Sequence, residues 1–192
     1  KGIDPLFLDE LKEELAEIQG ISVKRTRENR LRAFQKKLAA LTFLDPACGS
    51  GNFLTETYLS LRRLENQVIS SLHQDQIIFD MGSPIQVSIG QFYGVEINDF
   101  AVTVAKTALW IAESQMMKET EDVVHMSLDF LPLKSYASII EGNALRLDWE
   151  EAVPKHKLNY IMGNPPFVGY KLQDESQKND LAPLYGTIRN ID

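Results

Sequence analysis

The chain has 192 residues, and its 44% hydrophobic content is enough to bury one sizeable core in a single domain. Its net charge of −7 does not fit a stand-alone DNA-binding module, which is usually basic. One cysteine excludes an internal disulfide and suits a reducing compartment, and no apolar run approaches the length of a membrane span.

Residues 1–40 predict two helices, which we interpret as a helical lead-in. Asp4-Pro5 is typical of a helix cap followed by proline at the first helical position, and apolar residues then follow helical spacing as far as Gly20. The second helix is predicted from about Lys24 to Ala40. Its basic cluster is interpreted most simply as a solvated face, with a nucleic-acid contact as the alternative: Lys24, Arg25, Arg27, Arg30 and Arg32.

From Leu41 onward, strands alternate with helices. "LTFLD" predicts a short strand ending at Asp45, and the amphipathic segment that begins at Phe53 predicts a helix. A hairpin insertion is expected over Ile77–Gln91. "QFYGVEIN" predicts the second strand, followed by a helix from about Asp99 to Lys118.

Two further strands are predicted in the last third of the chain, from "ASIIEGNAL" and from the apolar run of "NYIM", which indicates a buried strand. Strands that alternate with helices imply an open parallel sheet with helices on its faces. The sequence therefore predicts an α/β fold.

The turn after the first strand, in "FLDPACGSGNF", joins an acid to two glycines. Gly49 and Gly51 allow the backbone to turn sharply and to approach a ligand closely. A dinucleotide fingerprint would need a glycine where Leu54 stands, and a P-loop would need Lys and Ser/Thr in place of Asn52-Phe53. Asp45 would repel a pyrophosphate but attract a cationic amino-acid group.

The second strand ends at Glu96, where a carboxylate can accept hydrogen bonds from ribose hydroxyls. The alternative interpretation of Glu96 is a solvated acid at a strand end. A ligand that has a ribose and a cationic amino-acid end, but no phosphate, is S-adenosylmethionine.

The fourth strand ends in "GNPPF". The two prolines lack the N–H groups of a central strand, and the second one disfavours helical geometry at the residue before it. The chain therefore leaves the sheet in a rigid, extended form that presents the amide of Asn164 and the ring of Phe167.

The pair "DPACGSGNF" and "GNPPF" resembles the S-adenosylmethionine-dependent DNA adenine-N6 methyltransferases, in the gamma-type order in which the cofactor loop precedes the catalytic loop. The wider pattern of "KLAALTFLDPACGSGNFL", "LRRLE", "YGVEIN", "NPPFVG" and a late "QK-D" resembles the MmeI-like restriction-modification enzymes, from about Lys37 to the end of the chain. The resemblance implies a Rossmann-like class I methyltransferase core over residues 41–192, with a mostly parallel sheet and helices on both faces.

The resemblance also implies site residues. Glu96 would hold the ribose, Ile97 would lie against the adenine ring of the cofactor, and Asn143, followed by Ala144, would contact the adenine edge. The rest of the cofactor site would be Asp45, Pro46, Ala47, Cys48, Gly49, Gly51, Asn52 and Phe53.

The catalytic residues implied are Asn164, Pro165, Pro166 and Phe167. The Asn164 side-chain oxygen and the Pro165 carbonyl would accept the N–H groups of the target amine, and Phe167 would stack on an adenine flipped out of the duplex. No metal ligand set is expected, and Cys48 is interpreted as a small packed residue of the cofactor loop rather than as a nucleophile.

The expected partner is double-stranded DNA, reached through a target-recognition domain outside these 192 residues, in a cytoplasmic bacterial restriction-modification enzyme. We accordingly expect the chain to be a catalytic-domain fragment, incomplete at its C-terminus. Two alternatives remain open. The chain could belong to a protein-glutamine or RNA methyltransferase, or it could be a binding module that keeps the fold without turnover.

Overall fold

The computed structural model describes residues 6–74, 84–125, 128, 137–163 and 175. Helices α1 (Leu6–Gln19) and α2 (Lys24–Ala40) come first and confirm the two predicted helices. The predicted cap at Asp4-Pro5 lies outside the described residues. Both helices direct their apolar stripes into one core, which buries Leu8, Leu11, Leu15 and Ile18 of α1 and Leu31, Phe34 and Leu38 of α2.

Four parallel strands form the sheet, in the order β3-β2-β1-β4: β1 (Phe43–Asp45), β2 (Phe92–Glu96), β3 (Ser138–Glu141) and β4 (Tyr160–Ile161). Parallel pairing brings all four carboxyl ends to one edge, which we call the carboxyl edge. After β3 the chain returns to the far side of β1, so the strand order reverses between β1 and β4. In open α/β sheets, ligands bind outside the carboxyl ends at such a point.

The long helices α3 (Asn52–Gln74) and α4 (Asp99–Val124) join α1 and α2 on one face of the sheet. The ring of Phe43 stacks between those of Phe92 and Tyr160 there, with centroids 5.1 and 5.4 Å away. On the opposite face, Leu44 and Val95 form a smaller core with the single-turn helix α5 (Trp149–Ala152). This arrangement confirms the α/β class, with a parallel sheet and helices on both faces.

Two predicted strand features are wrong. Of the predicted hairpin, residues 77–83 lie outside the described residues, while residues 84–88 form neither helix nor strand and Ile89–Gln91 form a 3-10 helix. The N–H groups of Gln86 and Val87 donate to the Glu65 carboxylate instead of to a neighbouring strand. The fourth strand was predicted to be buried, yet Ile161 is 58% exposed, because β4 lies at one edge of the described sheet and pairs only with β1 there.

The helix boundaries also differ in part from the prediction. α4 continues six residues beyond the predicted end at Lys118, and α5 was not predicted. No helix in the described ranges, including the 26-residue α4, has an apolar stretch long enough to cross a membrane.

Candidate functional site

The two glycines of the loop after β1 serve different purposes. Both have left-handed backbone angles, with φ of +53° at Gly49 and +79° at Gly51. A Cβ added to Gly51 would lie 2.9 Å from the Cβ of Ala105, so close packing of the loop against α4 requires a glycine there. A Cβ added to Gly49 would meet no atom within 4 Å. The backbone at Gly49 therefore faces open space, which a ligand can approach.

Asp45 ends β1 directly below this loop, and its side chain is only 1% exposed. One carboxylate oxygen accepts the Ala47 N–H at 3.0 Å. Burial raises the pKa of Asp45; the Ala47 hydrogen bond opposes the rise, and the neighbouring charge of Glu96 adds to it. In the described part of the chain, no Lys or Arg side chain offsets this charge.

Glu96 ends β2 and connects two loops of the carboxyl edge. Its Oε2 accepts the Gly49 N–H at 2.9 Å, and its Oε1 accepts the Asn98 N–H at 3.0 Å. The Asn98 side chain in turn accepts the Ala101 N–H at 3.0 Å and caps α4. Glu96 therefore fixes the glycine loop relative to the start of α4. Next to it, Ile97 is 68% exposed.

Cys48 is held in the middle of the loop as a packed side chain. Its N–H donates to the Val95 carbonyl at 3.1 Å, and its sulfur lies so close to Gly94 that a Cβ there would be 2.9 Å from Sγ. Burial, together with the charges of Asp45 and Glu96, raises the pKa of the thiol to about 12. The side chain is therefore a neutral thiol at physiological pH, in agreement with its interpretation as a packed residue.

The remaining predicted residues of this loop lie around its rim. Pro46 and Ala47 are half-buried, whereas Asn52 begins α3 and accepts a hydrogen bond from the Ser50 hydroxyl at 3.3 Å. Phe53 is 44% exposed, so the loop presents an aromatic face at the start of α3.

The turn after β3 is attached to the same edge. The Gly142 N–H donates to the Glu96 carbonyl at 2.9 Å, which extends the pairing of β2 with β3. The half-buried Asn143 accepts the Leu145 N–H on its side-chain oxygen at 3.0 Å. The carbonyl of Ala144 accepts the indole N–H of Trp149 at 2.7 Å. The structure thus brings Asn143 and Ala144 to the same edge as Asp45 and Glu96.

Gly163 is a site residue that the sequence analysis missed. It follows β4 with φ of +146°, and a Cβ added to it would lie 2.5 Å from Oδ1 of Asp45. Only a glycine can approach the carboxylate so closely. The signal available in the sequence was the glycine of "GNPPF" immediately before the amide. The predicted catalytic residues lie outside the described residues: Asn164, Pro165, Pro166 and Phe167.

The carboxyl edge therefore offers two neighbouring acids around a glycine whose backbone is open, with apolar side chains at the rim. In the ranges that the structure describes, no group of three or more His, Cys, Asp or Glu side chains is arranged to hold a metal ion. The chemistry of this donor set suits a ligand that is cationic and carries hydroxyl donors and an apolar ring.

Comparison with known proteins gives consistent matches. The family described as "MmeI, DNA-methyltransferase domain" matches residues 21–192. The "DNA methyltransferase A" of Bacillus subtilis is 39% identical over 193 residues, which cover 99% of this chain and 21% of that protein. The "Adenine-specific methyltransferase PglX" of Streptomyces coelicolor is 35% identical over 74 residues, covering 38% of this chain and 5% of that protein.

Among solved structures, the type IIL restriction-modification enzyme MmeI in complex with DNA superimposes with a TM-score of 0.88 at 42% identity. The match covers 98% of this chain and 24% of the MmeI chain. The chain thus spans between a fifth and a quarter of the length of the Bacillus subtilis protein and of MmeI.

Proposed function

The chain belongs to the MmeI DNA-methyltransferase domain family, and on this basis we propose that it forms the cofactor-binding and catalytic part of a DNA adenine-N6 methyltransferase. The methyl donor is S-adenosylmethionine, and the acceptor is the amine of an adenine flipped out of double-stranded DNA. Residues 41–192 carry this core, and residues 1–40 are its helical lead-in. The enzyme works in the cytoplasm of a bacterium, as the modification part of a restriction-modification system.

The observation that carries the proposal is the pair of acids around the open glycine. Asp45 and Glu96 end adjacent strands, and burial together with the charge of Glu96 raises the pKa of Asp45, without a compensating cation among the described residues. A cationic amino-acid end would offset that charge. S-adenosylmethionine supplies such an end, together with a methyl group on a sulfonium that is already a good leaving group.

The proposal assigns the predicted cofactor residues to three parts of S-adenosylmethionine: its ribose, its adenine ring and its methionine end. Each carboxylate oxygen of Glu96 accepts one N–H and keeps a lone pair for a ribose hydroxyl. Ile97, exposed beside it, packs on the adenine ring of the cofactor, and Asn143 contacts the edge of that ring. The methionine end lies along Asp45, Ala47, Gly49 and Gly51, and the other loop residues of the cofactor site are Pro46, Cys48, Asn52 and Phe53.

The catalytic role belongs to the segment that follows Gly163. The Asn164 side-chain oxygen and the Pro165 carbonyl accept the two N–H groups of the target amine and favour a pyramidal nitrogen whose lone pair faces the methyl group. The prolines add rigidity without competing donors. Phe167 stacks on the flipped adenine, which offsets part of the cost of extruding the base, roughly a few kcal/mol.

The experiment that tests this proposal compares Asn164→Ala with Asn164→Asp in the full gene product. The Ala variant lacks the acceptor oxygen, so we expect S-adenosylmethionine affinity to remain while methyl transfer falls by about 10²–10³-fold. The Asp variant keeps an acceptor and should retain more activity. Single-turnover transfer of a labelled methyl group to duplex DNA, followed by digestion to nucleosides, measures the rate and identifies the product.

Three outcomes would count against the proposal. A near wild-type rate for Asn164→Ala would remove the amide from the mechanism. Transfer of label to protein or RNA with none to DNA would favour the alternative substrate classes, and cofactor binding without any transfer would indicate a non-catalytic module.

A further inference from the structure

Helix α2 has a strongly basic face that the proposed cofactor site does not use. The helix carries seven of the 20 Lys and Arg residues of the chain but only one of its 27 Asp and Glu residues. The other residues carry 13 basic and 26 acidic side chains. A positive surface is therefore concentrated on one element of an acidic chain, which is unlike an ordinary solvated face with both signs interspersed.

The cations of α2 are arranged in a row. Arg25, Arg32 and Lys36 are all exposed, and Asn29 lies between the first two. The spacing of these four residues, i, i+4, i+7 and i+11, places them on one side of the helix. The buried residues Leu31, Phe34, Gln35 and Leu38 occupy the other side. We call this row the basic stripe; it is about 16 Å long at 1.5 Å per residue.

Three of the four α2 cations outside the stripe have polar contacts, and the fourth, Arg30, forms no ion pair with a described residue. Lys37 bonds Glu14 at 2.6 Å, Lys24 lies 3.9 Å from Glu28, and Arg27 donates to the Ile21 carbonyl at 2.9 Å. By contrast, Arg25, Arg32 and Lys36 form no ion pair with any residue that the structure describes. Like charges one turn apart repel each other, and a bound polyanion removes that repulsion.

The stripe lies at the end of the molecule opposite the carboxyl edge. α2 leads into the amino end of β1, where the Gln91 side chain donates to the carbonyls of Leu38 and Leu41 at 2.9 and 2.7 Å. The turn between α1 and α2 lies near the far end of α3, because Gln19 contacts Ser71 at 3.3 Å. α3 begins at the glycine loop with Asn52, so the Arg25 end of the stripe is roughly 28 Å from that loop.

We propose that the basic stripe binds backbone phosphates of the DNA duplex whose adenine enters the site at the carboxyl edge. This inference rests on the proposed function. Arg, Lys and Asn side chains are common donors to phosphate oxygens, and such contacts position a protein on DNA without reading sequence. A duplex that reaches both the glycine loop and the stripe extends about eight base pairs to one side of the target adenine, at about 3.4 Å per pair.

The test neutralises the stripe in the full gene product with Arg25→Gln, Arg32→Gln and Lys36→Gln together. The control removes three exposed cations elsewhere, Arg63→Gln, Lys106→Gln and Lys118→Gln. Binding to a fluorescent duplex is measured between about 50 and 200 mM salt. The slope of the logarithm of the association constant against the logarithm of the salt concentration should become less steep by about 2–3 in the stripe variant. Each phosphate contact contributes about 0.9 to that slope, and the variant removes three cations. The slope should not change in the control beyond a small general effect of charge.

A second measurement varies the DNA length. Wild-type protein should bind a duplex with 15 flanking base pairs more tightly than one with four, and the stripe variant should lose that preference. Unchanged slopes and an unchanged length preference would overturn the proposal. So would a variant that loses affinity for RNA or for an acidic protein while it binds duplex DNA as before.

The design separates the stripe from the proposed function. If the full gene product binds DNA but transfers no methyl group, the slopes still report on the stripe. If it methylates DNA with equal slopes in all variants, the stripe assignment alone is wrong. Failure of the full gene product to bind DNA under all conditions would overturn both.

Discussion

Two buried acids, Glu65 in α3 and Asp45 at the end of β1, have opposite surroundings. Glu65 is 0% exposed and forms a buried ion pair with Arg62. It also accepts the Gln35 side chain at 2.8 Å and the N–H groups of Gln86 and Val87 at 2.6 and 3.2 Å. Asp45 is 1% exposed and accepts the Ala47 N–H, while the neighbouring charge that affects its pKa is a second acid, Glu96.

The difference distinguishes a structural acid from one suited to a ligand. The network of Glu65 continues through Arg62 to the Thr120 hydroxyl at 2.8 Å and from there to Asn66 at 2.7 Å. Both Glu65 oxygens therefore have partners within the fold, whereas Nε of Arg62 is buried without one in the described part of the chain. The network joins α2, α3 and α4 to residues 86–87. The charge of Asp45 lacks such compensation among the described residues, and buried charges are stable only when paired. We infer that the missing positive charge comes with the cofactor.

Removing Glu65 should have the largest effect on stability. Glu65→Ala leaves Arg62 charged and buried without its partner and removes the acceptor for two backbone N–H groups. We expect a loss of about 3–5 kcal/mol in the free energy of unfolding, measured by urea denaturation. Glu56→Ala, an exposed acid on the same helix, should change stability by less than about 0.5 kcal/mol. Equal effects of the two substitutions would mean that Glu65 is not a structural centre.

The sequence predicted the helices and the acids of the site but not the Glu65 network. The spacing of apolar residues predicted helices α1 to α4, and an acid at the end of an apolar strand identified Asp45 and Glu96. Both signals lie within a few neighbouring residues of the sequence. Arg62 and Glu65, three residues apart, look like an exposed ion pair in the sequence. Their burial depends on Gln35, Gln86 and Thr120, which are distant along the chain. A pattern of neighbouring residues cannot predict contacts between side chains that are so far apart in the sequence.

The same reason explains the remaining differences. The hairpin prediction failed because a side chain of α3 takes the N–H groups that a strand partner would have used. The burial of Ile161 was overestimated, since the composition of a strand does not reveal whether it lies at an edge of the sheet. The close approach of Gly163 to Asp45 joins residues more than a hundred positions apart.

Gly163→Ala tests whether methyl transfer requires the close contact between the Asp45 carboxylate and the backbone after β4. A Cβ would lie 2.5 Å from the Asp45 carboxylate at a backbone φ of +146°, so the chain that leads to Asn164 has to shift. A displacement of about 1 Å at a catalytic group can cost about 100-fold in rate, and we expect at least that loss of methyl transfer in the full gene product. Gly20→Ala, where a Cβ would come no closer than 3.4 Å to its neighbours, is the matched control. Normal transfer by Gly163→Ala would show that the contact is dispensable.

Glu96→Gln should weaken cofactor binding by roughly 10- to 150-fold, or about 1.5–3 kcal/mol. The substitution removes the charge and turns an amide NH₂ toward the N–H of Gly49 or Asn98. The control is Glu141→Gln, because Glu141 lies opposite Glu96 on β3 and is exposed. Calorimetric titration with S-adenosylmethionine measures both variants. Equal affinities would remove Glu96 from the cofactor site.

The smallest expected effect is the pH dependence that Asp45 gives to stability. Burial raises the pKa of Asp45 above its ordinary value of 3.8, the Ala47 N–H opposes the rise, and Glu96 adds to it. The folded protein therefore keeps this proton to higher pH than the unfolded chain does. Its contribution to stability is fully present below about pH 3.8 and is lost as the pH rises through the folded-state pKa.

The difference in unfolding free energy between wild type and Asp45→Asn isolates this contribution from those of the other acids. It should fall as the pH rises from about 3.8 through the folded-state pKa, by at most about 1.4 kcal/mol per pH unit for one proton. Bound S-adenosylmethionine should reverse the trend, because a cationic ligand favours the ionised carboxylate and so binds wild type more tightly as the pH rises through the same window. If the unfolding free energies of wild type and Asp45→Asn changed in parallel with pH, both with and without the cofactor, the Asp45 carboxylate would not respond to the ligand.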